Sequence, residues 1–376
     1  MYYQREYLRQ DIAMTLNNTY QLDLPKNGLL SSLLLYFYGT QATGLGGTGG
    51  KFKLTDFISK IEIIGDGATV IKSYTGHQAQ AIGFLDSGVT MPDMIRMYAT
   101  NTQKAYVTIN FGRMLRDLDY GLDLSRWKNV EIRITNDATS SYFTNIYVTM
   151  MMYLLRDAVA GQFKGYITSE NWREYVPVAA ETKYLELPTD YLIRRIILNP
   201  YPGFNGTTEE WYASLDDLMN NIELSFNTGN DRVWKDGLTQ LMICNYIERG
   251  KYNLCTALAY PTADHAIDIG LGYTFGMALG AASKDDSSAA TVPTVIADIS
   301  NNLPKMETYE ADNPTYMLGM GMAYMQCAAF EFDADQNPST WLDTKAKDVV
   351  KLDITTKTGI TVTSAKNRIV LERLVR

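Results

Sequence analysis

The sequence predicts an all-β protein built from two tandem antiparallel jelly rolls. Each is expected to be a β-sandwich of about eight strands, with short helices and, in the second, a long insertion. Three observations support this prediction: an internal repeat, alternating apolar and polar residues in the repeated segments, and turn signals between those segments. The turn signals indicate short connections between strands, and short connections favour antiparallel pairing.

The repeat joins collinear segments of the two halves. "LDLP" at Leu22–Pro25 matches "LELP" at Leu185–Pro188, an offset of 163 residues. "LDLSRWKNVEIRIT" at Leu122–Thr135 matches "LDTKAKDVVKLDIT" at Leu342–Thr355, an offset of 220 residues. The larger offset predicts an insertion in the second half, and the collinear order favours a duplicated domain.

The repeat and the composition between its copies divide the chain into segments. The segment between the copies is mixed, with glycine and proline, and the insertion is rich in small residues, Met and Tyr, which favours burial against a neighbour. The predicted segments are an N-terminal helical segment at 1–18, a first jelly roll at 19–157, a linker at 158–180, and a second jelly roll at 181–376 with its insertion at about 253–322.

Helical patterns are few. Tyr3, Tyr7, Leu8 and Ile12 share one face of a helix, which predicts the N-terminal helix. A short helix is predicted at Gly112–Tyr120, and one further helical turn in "SLDDLMNNI" of the second half.

The glycine cluster "GLGGTGGK" at Gly44–Lys51 fits the G-x-G-x-x-G pattern of a dinucleotide-binding turn. That function requires a helix after the glycines, whereas the following "KFKLTDFISKIEII" leads into a strand. Phe52 also replaces the Ser or Thr of a P-loop. The second repeat has "PYPGFNGTTEEW" at Pro200–Trp211 in this place, so the cluster is predicted to be a loop between two strands.

The composition offers little catalytic machinery. Only 2 His and 3 Cys are present, which disfavours His-based catalysis, and the cysteines are predicted to be reduced and at least partly buried. "DHAID" at Asp264–Asp268 is predicted to be a loop rather than a metal site. A carboxylate pair for glycoside hydrolysis is neither supported nor excluded. We therefore expect no enzyme activity, catalytic residue, cofactor or metal.

Charge and hydropathy also bear on partners. The net charge of −8 argues against a surface that neutralises a nucleic-acid backbone. No stretch approaches the roughly 20 apolar residues of a membrane span, and the N-terminus lacks a signal-peptide core. The protein is expected to be made in the cytoplasm and to stay soluble until it assembles.

The repeated "LxLP…IE[IL]…K" opening of each half, with the predicted helix before "GLDLSRWKNVEIRIT", resembles the double jelly-roll major capsid proteins of tailless icosahedral viruses. This lineage includes the tectivirus-like bacteriophage proteins and adenovirus hexon, and many members enclose an internal membrane. The resemblance covers residues 19–376. It implies a structural capsid protein of the virion, assembled in the host as homotrimeric, pseudo-hexameric capsomers.

The resemblance also implies partners: neighbouring capsomers, penton and minor capsid proteins, and an internal lipid membrane, without specific nucleic-acid binding. The insertion would form an outer tower or a trimer clasp. The N-terminal residues expected to contact lipid or a neighbouring capsomer are Tyr2, Tyr3, Arg5, Tyr7 and Arg9. Packing of this segment on its own subunit is an equal alternative. The 26 tyrosines keep a second hypothesis open, a tandem jelly-roll carbohydrate-binding or glycan-processing protein.

Overall fold

The computed structural model describes most of the chain. The described residues are 1–42, 53–97, 100–159, 161–201, 215–229, 231–250, 252–259, 271–272, 274–281, 296–298, 305–307, 315–333, 335–360 and 365–376. The glycine cluster, its second-half counterpart loop and "DHAID" lie outside these residues, apart from the terminal Pro200 and Tyr201 of the counterpart.

The first half contains strands β1 to β10 and helix α1. Their bounds are β1 (Tyr2–Met14), β2 (Thr19–Asp23), β3 (Leu29–Gln41), β4 (Ile58–Gly65), β5 (Thr69–Tyr74), α1 (Gly76–Ser87), β6 (Ile95–Met97), β7 (Thr102–Asn110), β8 (Leu122–Asp123), β9 (Val130–Asn136) and β10 (Phe143–Arg156).

The second half contains strands β11 to β24 and helices α2 and α3. Their bounds are β11 (Tyr166–Tyr175), β12 (Thr182–Glu186), β13 (Leu192–Tyr201), α2 (Leu215–Leu218), β14 (Asn221–Phe226), β15 (Asp231–Asp236), α3 (Leu238–Arg249), β16 (Asn253–Ala259), β17 (Thr274–Ala281), β18 (Ile296–Asp298), β19 (Lys305–Glu307), β20 (Thr315–Gly321), β21 (Ala328–Glu331), β22 (Leu342–Asp343), β23 (Val350–Thr355) and β24 (Lys366–Val375).

The two halves repeat one strand order. In the first, β1-β10-β3-β7 form one layer and β2-β9-β4-β5 the other. In the second, the layers are β11-β24-β13-β21 and β12-β23-β14-β15. Each half is therefore an eight-stranded jelly roll with its own apolar core between the layers, which confirms the predicted fold class.

One sheet joins the two sandwiches. β5 of the first half pairs in parallel with β11 of the second, with Lys72 opposite Ser169 and Ser73 opposite Glu170. The layer β2-β9-β4-β5 thereby continues into β11-β24-β13-β21, to which the short β22 adds through β13, giving a sheet of nine strands. The two sandwiches thus form one block.

Alternation explains why the repeated segments are strands. In β9, Val130, Ile132 and Ile134 are buried in the first core, while Arg133 is half-buried on the other side. In β23, which starts at Val350, buried and half-buried residues also alternate. The predicted alternation of apolar and polar residues in these strands is therefore confirmed.

The N-terminal segment is a strand, so the helix prediction for residues 1–18 is wrong. β1 pairs with β10 along its length, but its register shifts between Tyr7 and Arg9 and again between Arg9 and Ile12. Such bulges displace apolar side chains from strict alternation. The resulting spacing imitates a helical face.

The proposed linker 158–180 also requires correction, because residues 166–175 form β11. β11 pairs with β24 as β1 pairs with β10, so β11 is the first strand of the second sandwich and the counterpart of β1. The sequence repeat did not reveal that β1 and β11 are equivalent, because few residues are identical or similar between the two strands.

The helices also differ from the predictions. Residues 112–120 form a loop, not a helix, because the Asp117 carboxylate accepts hydrogen bonds from the backbone N–H groups of Arg113 and Asp119. The helical turn predicted in "SLDDLMNNI" is confirmed as α2. α1 and α3 occupy the same position of each half, at an offset of 162 residues, and were not predicted. α1 lacks an amphipathic pattern because buried Gln78 and Gln80 interrupt its apolar residues.

The insertion is built partly on the first sandwich. Within its described residues, β16, β17 and β20 form a sheet that also includes β6 of the first half. None of the helices in the described part of the chain is long and apolar enough to cross a membrane.

Candidate functional site

The two sandwiches meet at a buried group of six charged side chains and one serine, which we call the seam cluster. It combines side chains from α1, β5 and β11 with others from β13, β24 and the loop after β21. Its members are Lys72, Asp86, Ser169, Arg194, Arg195, Asp333 and Glu372, and each is at most 8% exposed.

The Asp86 carboxylate of the first sandwich lies between two arginines of the second. Arg195 Nη1 donates to Asp86 Oδ1 at 2.6 Å and to Glu372 Oε2 at 3.0 Å. Arg194 Nη1 donates to the same Asp86 oxygen at 2.8 Å, and its Nε to Asp333 Oδ2 at 2.6 Å. The guanidinium groups thus tie one half of the chain to the other.

A β-bulge allows both arginines to point into the seam. Neighbouring residues of a regular strand face opposite sides of the sheet. The pairing of β13 with β24 shifts register between Ile193 and Arg195, so Arg194 is the extra residue. This irregularity lets Arg194 and Arg195 reach the same carboxylate.

A second chain of contacts runs through the joined sheet. Lys72 Nζ donates to Ser169 Oγ at 2.9 Å, and that hydroxyl donates to Glu372 Oε1 at 2.9 Å. Burial lowers the pKa of Lys72 to about 8, although Glu372 and Asp86 partly oppose that shift.

The arginines decide the charge of the central carboxylate. Burial alone would raise the pKa of Asp86, but Arg194 and Arg195 outweigh it and hold this pKa below its usual value. Asn110 adds a hydrogen bond from Nδ2 to Asp86 Oδ2 at 2.9 Å. The cluster is therefore a network of paired charges that connects the two sandwiches.

Two cavities lie beside this seam. One, of about 250 Å³, is lined by Arg249 and Glu331 together with members of the seam cluster. The other, of about 380 Å³, contains the contact between His77 Nε2 and Asp56 Oδ1. Burial would raise the pKa of Asp56, but nearby Lys53 and His77 lower it overall. In the described ranges, no group of three or more His, Cys, Asp or Glu side chains could hold a metal ion.

The five predicted N-terminal site residues lie together on β1. Tyr2 and Tyr7 are 54% and 57% exposed, and Arg5 and Arg9 are also exposed. Tyr3 is half-buried, and its hydroxyl donates to the backbone oxygen of Asp117 at 2.5 Å. The structure brings these residues to the outer strand of one sheet, which leaves all but Tyr3 available to a neighbour.

The seam cluster itself was not predicted. Its one signal in the sequence is the arginine doublet inside the apolar strand "YLIRRIILNPY". Adjacent charges in such a strand require buried partners. The carboxylate partners lie 108 residues or more away in the chain, so spacing could not identify them. The three cysteines are reduced and buried or half-buried, as predicted.

The described fold resembles viral coat proteins of known structure. It is similar to the major capsid protein of Sulfolobus Turreted Icosahedral Virus, with a TM-score of 0.59, 12% identity, and coverage of 100% of this chain and 97% of that one. It is also similar to major capsid protein P2 of bacteriophage PM2, with a TM-score of 0.53, 10% identity, and coverage of 100% and 98%.

A third similar structure is the PBCV-1 virus capsid, with a TM-score of 0.52, 11% identity, and coverage of 100% of this chain and 95% of that one. No protein-family model and no curated protein sequence matches the chain. At these identities the likeness concerns the fold. This chain therefore has the double jelly-roll fold that these viral major capsid proteins share.

Proposed function

We propose that the chain is a major capsid protein that forms the shell of an icosahedral virion. The observation that carries this proposal is the full-length likeness of both sandwiches, in tandem, to three capsid proteins. The likeness includes 97%, 98% and 95% of the length of those three proteins.

The active unit we propose is a homotrimer with a pseudo-hexameric outline. Two similar sandwiches per chain, repeated three times about an axis, give six similar lobes, and such a block tiles a closed shell. The seam cluster supports this role, because the block tiles only if its two sandwiches keep one relative orientation. Moving the sandwiches apart would leave the buried charges of the cluster without their partners, which is strongly unfavourable.

The partners that this function implies are neighbouring capsomers and the penton and minor capsid proteins. Contact of Tyr2, Tyr3, Arg5, Tyr7 and Arg9 with a neighbour or with an internal lipid membrane is part of the same proposal. The exposed tyrosine and arginine side chains of β1 suit either contact. The mature location would be the virion.

The alternative of glycan binding or processing would need aromatic faces free to stack on sugar rings. The outer face of the sheet β1-β10-β3-β7 does carry a strip of four tyrosines, Tyr36, Tyr38, Tyr106 and Tyr147. Their rings stack on one another at 4.8 to 5.5 Å between centroids, so the ring faces are largely covered. This observation favours the structural role.

Light scattering during size-exclusion chromatography tests the proposal. A trimer of 42.3 kDa chains has a mass of about 127 kDa, three times that of one chain. A stable monomer at micromolar concentration that binds immobilised oligosaccharides would contradict the capsid function and support the alternative.

A further inference from the structure

Equivalent strands of the two halves differ in exposure. β5 is covered by β11 and has Ile71, Lys72, Ser73 and Tyr74 buried. Its counterpart β15 has no strand on its outer edge among the described residues, and all of its side chains are exposed except the half-buried Trp234. The edge that the first sandwich covers is open in the second.

For the first strand of each sandwich the difference is reversed: β11 of the second half is covered, whereas β1 of the first half is exposed. In β11, Ile167 and Ser169 are fully buried against the first sandwich. In its counterpart β1, Tyr2 and Tyr7 are more than half exposed, and β1 has a described strand partner only on its β10 side. The chain thus carries one covered β5–β11 contact and leaves open both strands that could repeat it.

We propose that β1 of a second copy of this chain docks along β15, parallel to it, and repeats between chains the contact that β11 makes with β5. This inference rests on the proposed trimer and specifies its surface. Because each copy has one open β15 and one open β1, the contact is head-to-tail. Three copies then close a ring of six sandwiches related by similar rotations.

The repeat also specifies the register. The pairing of β5 with β4 is equivalent to that of β15 with β14. In this comparison Lys72 occupies the position that Trp234 occupies in the second half, and Ser73 the position of Lys235. The pairing of β1 with β10 is likewise equivalent to that of β11 with β24. Here position 5 of β1 corresponds to Ser169 of β11, and position 6 to Glu170. Transferring the observed pairs between chains places position 5 opposite Trp234 and position 6 opposite Lys235.

The side chains at these positions are chemically complementary. Glu6 opposite Lys235 is an ion pair, and Arg5 opposite Trp234 suits a cation–π contact. Each of the two charged residues has a partner in its own chain, since Glu6 contacts Arg156 and Lys235 Nζ lies 2.9 Å from Glu223 Oε2. Lys235 and its partner stay partly exposed, so the side chains can serve both contacts.

Disulfide cross-linking tests this register. The variant Glu6→Cys/Lys235→Cys is made in a Cys244→Ser background, which removes the most accessible native thiol. Opposite residues of neighbouring strands have suitable spacing for a disulfide. Mild oxidation should convert most of the protein to covalent trimers, with dimers as intermediates, in non-reducing electrophoresis.

The matched control is Glu6→Cys/Asp231→Cys in the same background. Asp231 is exposed on the same strand but four residues away, roughly 13 Å along it, and should give at least tenfold less cross-linked product. Trimers by light scattering that cross-link equally in both variants, or in neither, would overturn the docking while leaving the trimer intact. A monomer in light scattering would instead overturn the proposed function itself.

Discussion

The two sandwiches share one topology but differ in the bulge of the third strand. At an offset of 163 residues, Ser31 and Ser32 of the first half correspond to Arg194 and Arg195 of the second. Both pairs are buried and both follow the same shift in register, between β3 and β10 in one half and between β13 and β24 in the other. Both halves therefore have the bulge, but only the second half carries charged side chains on it.

This difference follows the role of each surface. The arginine pair faces the first sandwich within the chain, where a permanent contact can bury a paired network. Ser32 instead donates to Asn110 Oδ1 at 2.8 Å, inside its own half. A contact that must form between separately folded chains would suffer more from buried charge, because each charge would lose water during assembly. A neutral pair suits the side that we assign to a second copy.

The largest expected effect comes from breaking the charged seam. Arg195→Met should lower the free energy of unfolding by about 3–5 kcal/mol, because Asp86 and Glu372 would lose a buried partner. The matched change Ser32→Ala should cost only about 1–2 kcal/mol, since it removes only neutral hydrogen bonds, to Asn110 and to Ser31. Urea denaturation measures both. Equal losses would show that the seam carries no special stability.

The seam should also make stability depend on pH through Lys72. Its folded pKa of about 8 lies below the ordinary value of 10.5, so the unfolded chain holds the proton more tightly. Between these pH values the unfolded state binds more protons, and the contribution of Lys72 to stability rises with pH. The penalty is complete below pH 8 and disappears above 10.5.

The shift corresponds to about 3 kcal/mol. The difference in unfolding free energy between the native protein and Lys72→Met should therefore rise by this order from pH 8 to pH 10.5. Comparing the two proteins cancels other titrating groups that they share. A difference that stays flat across this range would contradict the low pKa.

A smaller effect is expected at the proposed contact between chains. Glu6→Lys or Lys235→Glu should each weaken every β1–β15 contact of the trimer by about tenfold in dissociation constant, a typical loss for a partly exposed ion pair that becomes a repulsion. The double variant Glu6→Lys/Lys235→Glu should recover most of that loss. Sedimentation equilibrium measures the three constants, and failure of the double variant to recover would argue against this pairing.

The smallest effect is expected at Arg9. Its side chain is exposed, and its described hydrogen bond goes to the neighbouring Leu8 carbonyl at 3.0 Å. Arg9→Ala should change the free energy of unfolding by less than about 0.5 kcal/mol. A larger loss in thermal unfolding of the monomer would mean that this residue supports its own subunit rather than a partner.

Sequence patterns predicted the features that depend on local order. Alternation identified strands such as β9, and the repeat identified two sandwiches. Bulges defeated the same method at β1, where the partner strand β10 determines the conformation. Helix α1 was not predicted because it is buried on nearly all sides. It therefore lacks the polar face by which an amphipathic helix is recognised in a sequence.

The seam cluster could not be predicted because it depends on the fold. Asp86, Arg195 and Glu372 meet only when helix α1 and the distant strands β13 and β24 pack together. The arginine doublet indicated buried charge without indicating its partners. The seam cluster was thus not predictable from the sequence, whereas contact of the β1 residues with a neighbour or with lipid stays a prediction.

Electron microscopy of the purified protein tests the central claim most directly. We expect class averages with a threefold axis, a hexagonal outline and six lobes, each the size of one sandwich. Particles with two lobes and no threefold axis, at concentrations where the protein is folded, would contradict it.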